Sequence, residues 1–69
     1  MNNVIKNRIQ ELRKENGLTQ KELADLCKVK QSCVSKWERG ATLPDIEMVI
    51  ILTKILNTTS DYLLGIKDF

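Results

Sequence analysis

Histidine is absent from this sequence, and with it the commonest general base and metal ligand. Glycine is scarce: Gly17, Gly40 and Gly65 stand far apart, so no glycine-rich loop is available to cradle a phosphate. The two cysteines, Cys27 and Cys33, have no second close-spaced pair to complete a zinc site, and in a reducing compartment they stay thiols. Trp37, Tyr62 and Phe69 are the whole aromatic complement, too few to build a surface that stacks RNA bases. The longest apolar run, Met48 to Leu52, is far short of the roughly 18 residues a membrane span needs. Met1-Asn2-Asn3-Val4-Ile5-Lys6 lacks the basic-then-apolar pattern of a secretion signal, which predicts a cytoplasmic protein. Ser32 and Ser35 have no histidine or suitably spaced lysine to activate them. Asp45, Glu47 and Asp61 fall where helix starts favour acids, not as an acid–base pair. The expectation is a protein that is not an enzyme, with no cofactor, no metal and no small-molecule ligand.

What is present is the balance of a folded soluble chain: 42% hydrophobic and 29% charged over 69 residues, enough for one domain spanning 1–69. A chain this short buries only about 60% of its unfolded surface, so a partner subunit would help it. Charge is unevenly placed. Residues 1–40 hold nine Lys and Arg against five Asp and Glu, while residues 41–69 hold two against four. Lys28, Lys30, Lys36 and Arg39 cluster with Glu38 as the one acid among them. Such a cluster is either a polyanion footprint or a solvated surface, and charge alone does not separate the two.

Apolar spacing predicts five short helices and no strands, over about 3–15, 20–27, 31–38, 46–56 and 60–64. Ile5, Ile9 and Leu12 lie on one helical face. Gly17 suits the left-handed residue after a helix. Thr19 and Glu22 form a capping box for the second helix, whose buried side is Leu23, Ala24 and Cys27. In the third, steps of 100° per residue gather Val34 and Trp37 on one side. They gather Gln31, Ser35, Arg39, Ser32 and Lys36 on the other. Asp45 and Thr59 are expected N-caps for the last two helices, Asn57 a left-handed terminator, and the tail from Ile66 to Phe69 loose.

Two short helices joined by about three residues, the second with a hydrogen-bonding front, suggest a helix-turn-helix. The chemistry suits duplex DNA. The major groove is about 12 Å wide and admits one helix. Gln31 can pair with adenine through two hydrogen bonds, and Lys36 can donate to guanine. Ser32 and Ser35 are short enough to let the helix sit close, and Lys28, Lys30 and Arg39 attract phosphates.

The runs Leu18-Thr19-Gln20-Lys21-Glu22-Leu23-Ala24, Val34-Ser35-Lys36-Trp37-Glu38-Arg39-Gly40, Leu43-Pro44 and Asp61-Tyr62-Leu63-Leu64-Gly65 resemble the phage repressor and Cro-type (XRE-like) helix-turn-helix regulators. The resemblance runs from Ile5 to Gly65 without a gap. It implies an all-α, five-helix lambda-repressor-like DNA-binding domain with the helix-turn-helix at helices two and three. It also implies a sequence-specific transcriptional regulator, a repressor sooner than an activator, whose third helix enters the major groove. By that resemblance Gln20 contacts a phosphate, while Lys30, Gln31, Ser32 and Lys36 face base pairs. Cys33 stands where a small hydroxyl residue touches the DNA backbone. Arg13 and Glu38 match a structural ion pair with no part in base reading. Lys28 departs from the family, which usually has glycine at that turn, and a non-glycine residue at positive φ costs on the order of 1 kcal/mol.

The fourth segment is unusually apolar. Its core side is expected at Ile46, Val49, Ile50, Leu52, Thr53 and Leu56. Met48, Ile51 and Ile55 then form a second stripe, expected to join Leu63, Ile66 and Phe69 in a two-fold dimer. A homodimer would place two recognition helices about 34 Å apart on a near-palindromic operator. A protein-interaction module, such as an antitoxin that binds a toxin, is the alternative in a different class. Cys27 reads as a small core residue and Trp37 as core rather than base-stacking.

Overall fold

Residues 2–67 are described by a computed structural model. They form five helices: α1 (Asn2–Glu15), α2 (Gln20–Cys27), α3 (Gln31–Arg39), α4 (Ile46–Ile55) and α5 (Ser60–Leu63). Local chemistry sets most of the boundaries. At the start of α2 the Thr19 hydroxyl accepts from the Glu22 amide at 3.0 Å, and the Glu22 carboxylate accepts from the Thr19 amide at 2.8 Å. That reciprocal pair satisfies two amides the helix cannot bond internally. Asp45 caps α4 through the Met48 amide, and Thr59 caps α5 through the Tyr62 amide. Gly40 ends α3 at φ 76°, a left-handed conformation that lets its amide close back on the last turn. At the corresponding place after α2 the chain has Lys28, at φ 61°.

The core is one cluster drawn from every helix. Ile9, Leu23, Val34, Leu52 and Leu63 are fully buried, with Leu56, Ala24, Cys27, Trp37 and Val49 nearly so. Burying a side chain of the Leu or Ile class contributes about 1.5–3 kcal/mol, and this cluster holds two-turn helices that would not persist alone in water. α2 and α3 pack on each other, α1 packs on α3 and α5, and α4 packs on α2 and α5. The whole measures 28 × 23 × 21 Å.

The structure corrects the reading of α4. Ile46 and Ile50, expected in the core, are 79% and 50% exposed, whereas Met48 and Ile55, expected outside, pack half-buried against the core. Seven of the ten residues of α4 are apolar, so spacing alone fits several arcs. The arc that packs is centred on Leu52, with Val49, Leu56, Met48 and Ile55 within about 60° of it; Ile46 and Ile50 fall roughly 120–160° away. Leu63, expected at a dimer contact, is fully buried. Ile51 is 37% and Ile66 is 68% exposed; Phe69 lies outside the described residues.

The segment after α5 is tethered rather than loose as far as Lys67. The amides of Ile66 and Lys67 donate to the Asp61 carbonyl. Arg8 Nη1 donates to the carbonyls of Tyr62 (2.6 Å) and Lys67 (2.9 Å), with its guanidinium 4.0 Å above the Tyr62 ring. Gly65, at φ 79°, lets the chain close on α1: a Cβ there would lie 2.6 Å from Val4 Cγ1.

Candidate nucleic-acid interface

α3 has two unlike sides because its sequence does. Val34 and Trp37 anchor the rear in the core, and Gln31, Ser32, Lys36 and Arg39 are exposed on the front with Ser35 half-buried among them. Lys28 and Lys30, in the turn between α2 and α3, are exposed as well. No side chain caps α3, whose N-cap position is Lys30. The Cys33 amide closes on the Lys30 carbonyl at 2.9 Å, so only the amides of Gln31 and Ser32 are left to solvent or an anion, beside a lysine. Cys33 lies at the edge of this face, half-buried and reduced.

The one acid of this stretch does not oppose these cations. The Glu38 side chain is buried, 2% exposed. Arg13 on α1 grips it through both carboxylate oxygens, Nε to Oε2 at 2.6 Å and Nη2 to Oε1 at 3.1 Å. The remaining reach of Arg13 goes to the Leu18 carbonyl at 2.8 Å. No buried side-chain polar atom among the described residues lacks a partner. With Glu38 neutralised inside, Lys28, Lys30, Lys36 and Arg39 present an undiluted positive surface.

Glu38 also reaches the front. Its Oε1 accepts from Gln20 Nε2 at 3.1 Å. A carboxylate can only accept, so Gln20 must turn its amide nitrogen inward and its oxygen outward. Gln31 Nε2 lies 3.5 Å from that oxygen, at the outer edge of hydrogen-bonding range. The result is a line from Arg13 through Glu38 and Gln20 to Gln31. It ends with the Gln31 oxygen and one amide hydrogen unused, the pair that adenine needs. On the same face Arg39 Nε donates to Ser35 Oγ at 3.3 Å, which leaves the hydroxyl proton to donate elsewhere.

Gln20 and the α3 residues singled out from the sequence thus share one face, while Ile66 lies elsewhere on the fold. Sequence reasoning missed the link from the ion pair to Gln31. A signal existed: on the 100° wheel Glu38 falls about 20° from Gln31, between rear and front. It also missed the clasp of Arg8 on α5.

Among the described residues no group of His, Cys, Asp or Glu is arranged to hold a metal, and no helix is long and apolar enough to cross a membrane. An apolar groove of about 440 Å³ opens between the start of α4, the loop before it, α1 and α5.

The profile of the helix-turn-helix family matches residues 9–63. The chain is similar to the HTH-type transcriptional regulator ImmR of Bacillus subtilis (strain 168), 38% identical over 61 residues that make up 88% of this chain and 47% of ImmR. It is similar to the HTH-type transcriptional activator BcrR of Enterococcus faecalis, 37% identical over 58 residues, 84% of this chain and 28% of BcrR. The chain therefore spans less than half the length of either. The solution structure of the DNA-binding domain of the P22 c2 repressor is similar with a TM-score of 0.84 at 34% identity, covering 88% of this chain and 80% of that one. The crystal structure of the P22 c2 repressor in complex with a synthetic operator has a TM-score of 0.83 at 33% identity, over 87% and 91%.

Proposed function

The chain belongs to the helix-turn-helix family, and from that premise we propose that it is a non-enzymatic transcriptional regulator that reads duplex DNA by placing α3 in the major groove. The observation that carries this reading is the front of α3: exposed amide, hydroxyl and cationic groups over a buried Val34–Trp37 rear. Gln31, Ser32 and Lys36 read base edges. Lys28, Lys30, Arg39, Ser35 and the Cys33 edge meet the backbone, and Gln20 joins the two sets. The likeness to the P22 c2 repressor, whose structure contains an operator, supports double-stranded operator DNA as the ligand and repression by occupancy as the outcome. Action in the cytoplasm on chromosomal or phage DNA follows from that ligand.

Two copies bind one near-palindromic site. A single α3 of nine residues spans too few base pairs to specify a genomic address, and pairing two half-sites one helical turn apart supplies the rest. Selection of bound duplexes from a random pool, repeated at two salt concentrations, tests the reading. The expected result is a two-fold-symmetric consensus whose affinity falls as salt rises. A pool with no enriched sequence overturns it.

A further inference from the structure

We propose that the apolar groove between α1, the start of α4 and α5 is a binding site for a small apolar acid, a molecule with a hydrocarbon body and one carboxylate. The groove measures about 440 Å³, a size that suits a small organic molecule. Four elements build it: Ile5 comes from α1, Leu43 from the loop after α3, Ile46 and Ile50 from α4, and Leu64 from the end of α5. These residues are far apart in the chain, so spacing alone points to no ligand here. Ser60 brings the one side-chain hydroxyl of the lining, and no charged residue lines it. Leu43, Ile46 and Ile50 are 50%, 79% and 50% exposed. Apolar surface left open to water in one concave place favours an apolar body that covers it.

The charge of the occupant follows from Lys6. This residue comes directly after Ile5 on α1 and is half-buried. Its Cδ lies 3.3 Å from the ideal Cβ position of Gly40, so its stem packs between α1 and the start of the loop after α3. The same two elements supply Ile5 and Leu43 to the groove. Among the described residues Lys6 makes no ion pair and no side-chain hydrogen bond. Arg8, two positions on, by contrast spends its guanidinium on the carbonyls of Tyr62 and Lys67. A half-buried ammonium without a partner gains from a carboxylate brought to it, and its flexible four-carbon stem lets it swing toward the edge of the groove. A neutral ligand would leave that charge unused, and a basic one would be repelled. The nearby acids do not fill the role. Asp45 spends Oδ1 on the Met48 amide, and neither Asp45 nor Glu47 lines the groove. None of the polar residues on the front of α3 lines it either, so occupancy can be measured apart from DNA binding.

Amide NMR spectra of the full chain, titrated with octanoate and in parallel with uncharged octanol, test the proposal without DNA. The expected result is saturable shifts at Ile5, Leu43, Ile46 and Ile50 with both probes. Lys6→Met keeps the aliphatic stem and removes the charge. It should weaken octanoate about fivefold and leave octanol unchanged. Ile50→Ser should weaken both probes about tenfold, and Ile51→Ser, outside the groove, should weaken neither. Lys6, Ile50 and Ile51 are not buried, so each variant should keep the fold, which a thermal melt verifies. Absence of saturable shifts at these residues overturns the proposal. So does a Lys6→Met protein that binds octanoate as the wild type does, or that loses both probes alike. Shifts at the same residues that grow with protein concentration alone would give the groove to a second copy and overturn it as well.

Discussion

Gln20 hands its side-chain nitrogen to the buried carboxylate of Glu38 at 3.1 Å, and so turns its oxygen toward α3. A residue beside the polar front of α3 is oriented by an ion pair in the core. Gln31 sits at the far end of that line. Structural support and the base reading proposed for Gln31 are therefore joined through one amide.

Cutting the line at its root should show first in stability. Glu38→Ala leaves Arg13, itself only 8% exposed, without its charge partner inside the protein. A loss of about 3–5 kcal/mol is expected, read by urea denaturation. A loss below about 1 kcal/mol would mean the pair behaves like an exposed one.

The middle of the line should show in DNA binding instead. Gln31→Ala is expected to cost about 1–3 kcal/mol against the preferred base at one position. Gln20→Ala should weaken binding and blur that same position. A double-mutant cycle on duplex affinity should then give a coupling of about 0.5 kcal/mol or more; simple additivity would mean the two glutamines act separately.

Lys28 permits opposite signs from one substitution. At φ 61° it pays a steric cost that glycine avoids, so Lys28→Gly should raise stability by about 0.5–1 kcal/mol. The same change removes a cation from the surface proposed to meet the phosphates. Affinity should fall for every sequence, and the slope of log affinity on log salt should flatten by about 1. Thermal melts and a salt titration read the two effects.

How much of this was legible depended on how amphipathic each helix is. α3 has a sharp division between Val34–Trp37 and its polar front, and its spacing could be read directly. The caps at Thr19, Asp45 and Thr59 announce themselves because few side chains can bond a helix's first amides. α4 has no such contrast. With apolar groups around most of its circumference, spacing picks out Val49, Leu52 and Leu56 as inward, but only contact with α2 and α5 decides that Met48 and Ile55 join them and that Ile46 and Ile50 do not. The Gln20–Glu38 contact and the Arg8 clasp on Tyr62 join residues 18 and 54 positions apart, and no local periodicity reports that.

The two thiols should separate chemically. Burial pushes the Cys27 thiol above its ordinary value of 9.0, because the low-dielectric core disfavours the thiolate. Alkylation of the native protein should therefore modify half-buried Cys33 well before Cys27, with peptide mass mapping as the readout. For stability the sign is unfavourable at high pH. Below the unfolded value both states keep the proton and the contribution is constant. Above it the unfolded thiol ionises first, so stability should decline as pH rises past about 9. Cys27→Ala should flatten that decline.

The most direct test of base reading by α3 compares the sequences selected from a random duplex pool by the wild type and by Lys36→Ala. Lys36 is exposed, so the fold should survive its truncation. The expected outcome is a shared consensus in which one base pair per half-site loses its preference, with affinity for the parent site lower by about 1–3 kcal/mol. Identical profiles and equal affinity for the two proteins would contradict it, and would remove α3 from the role assigned to it.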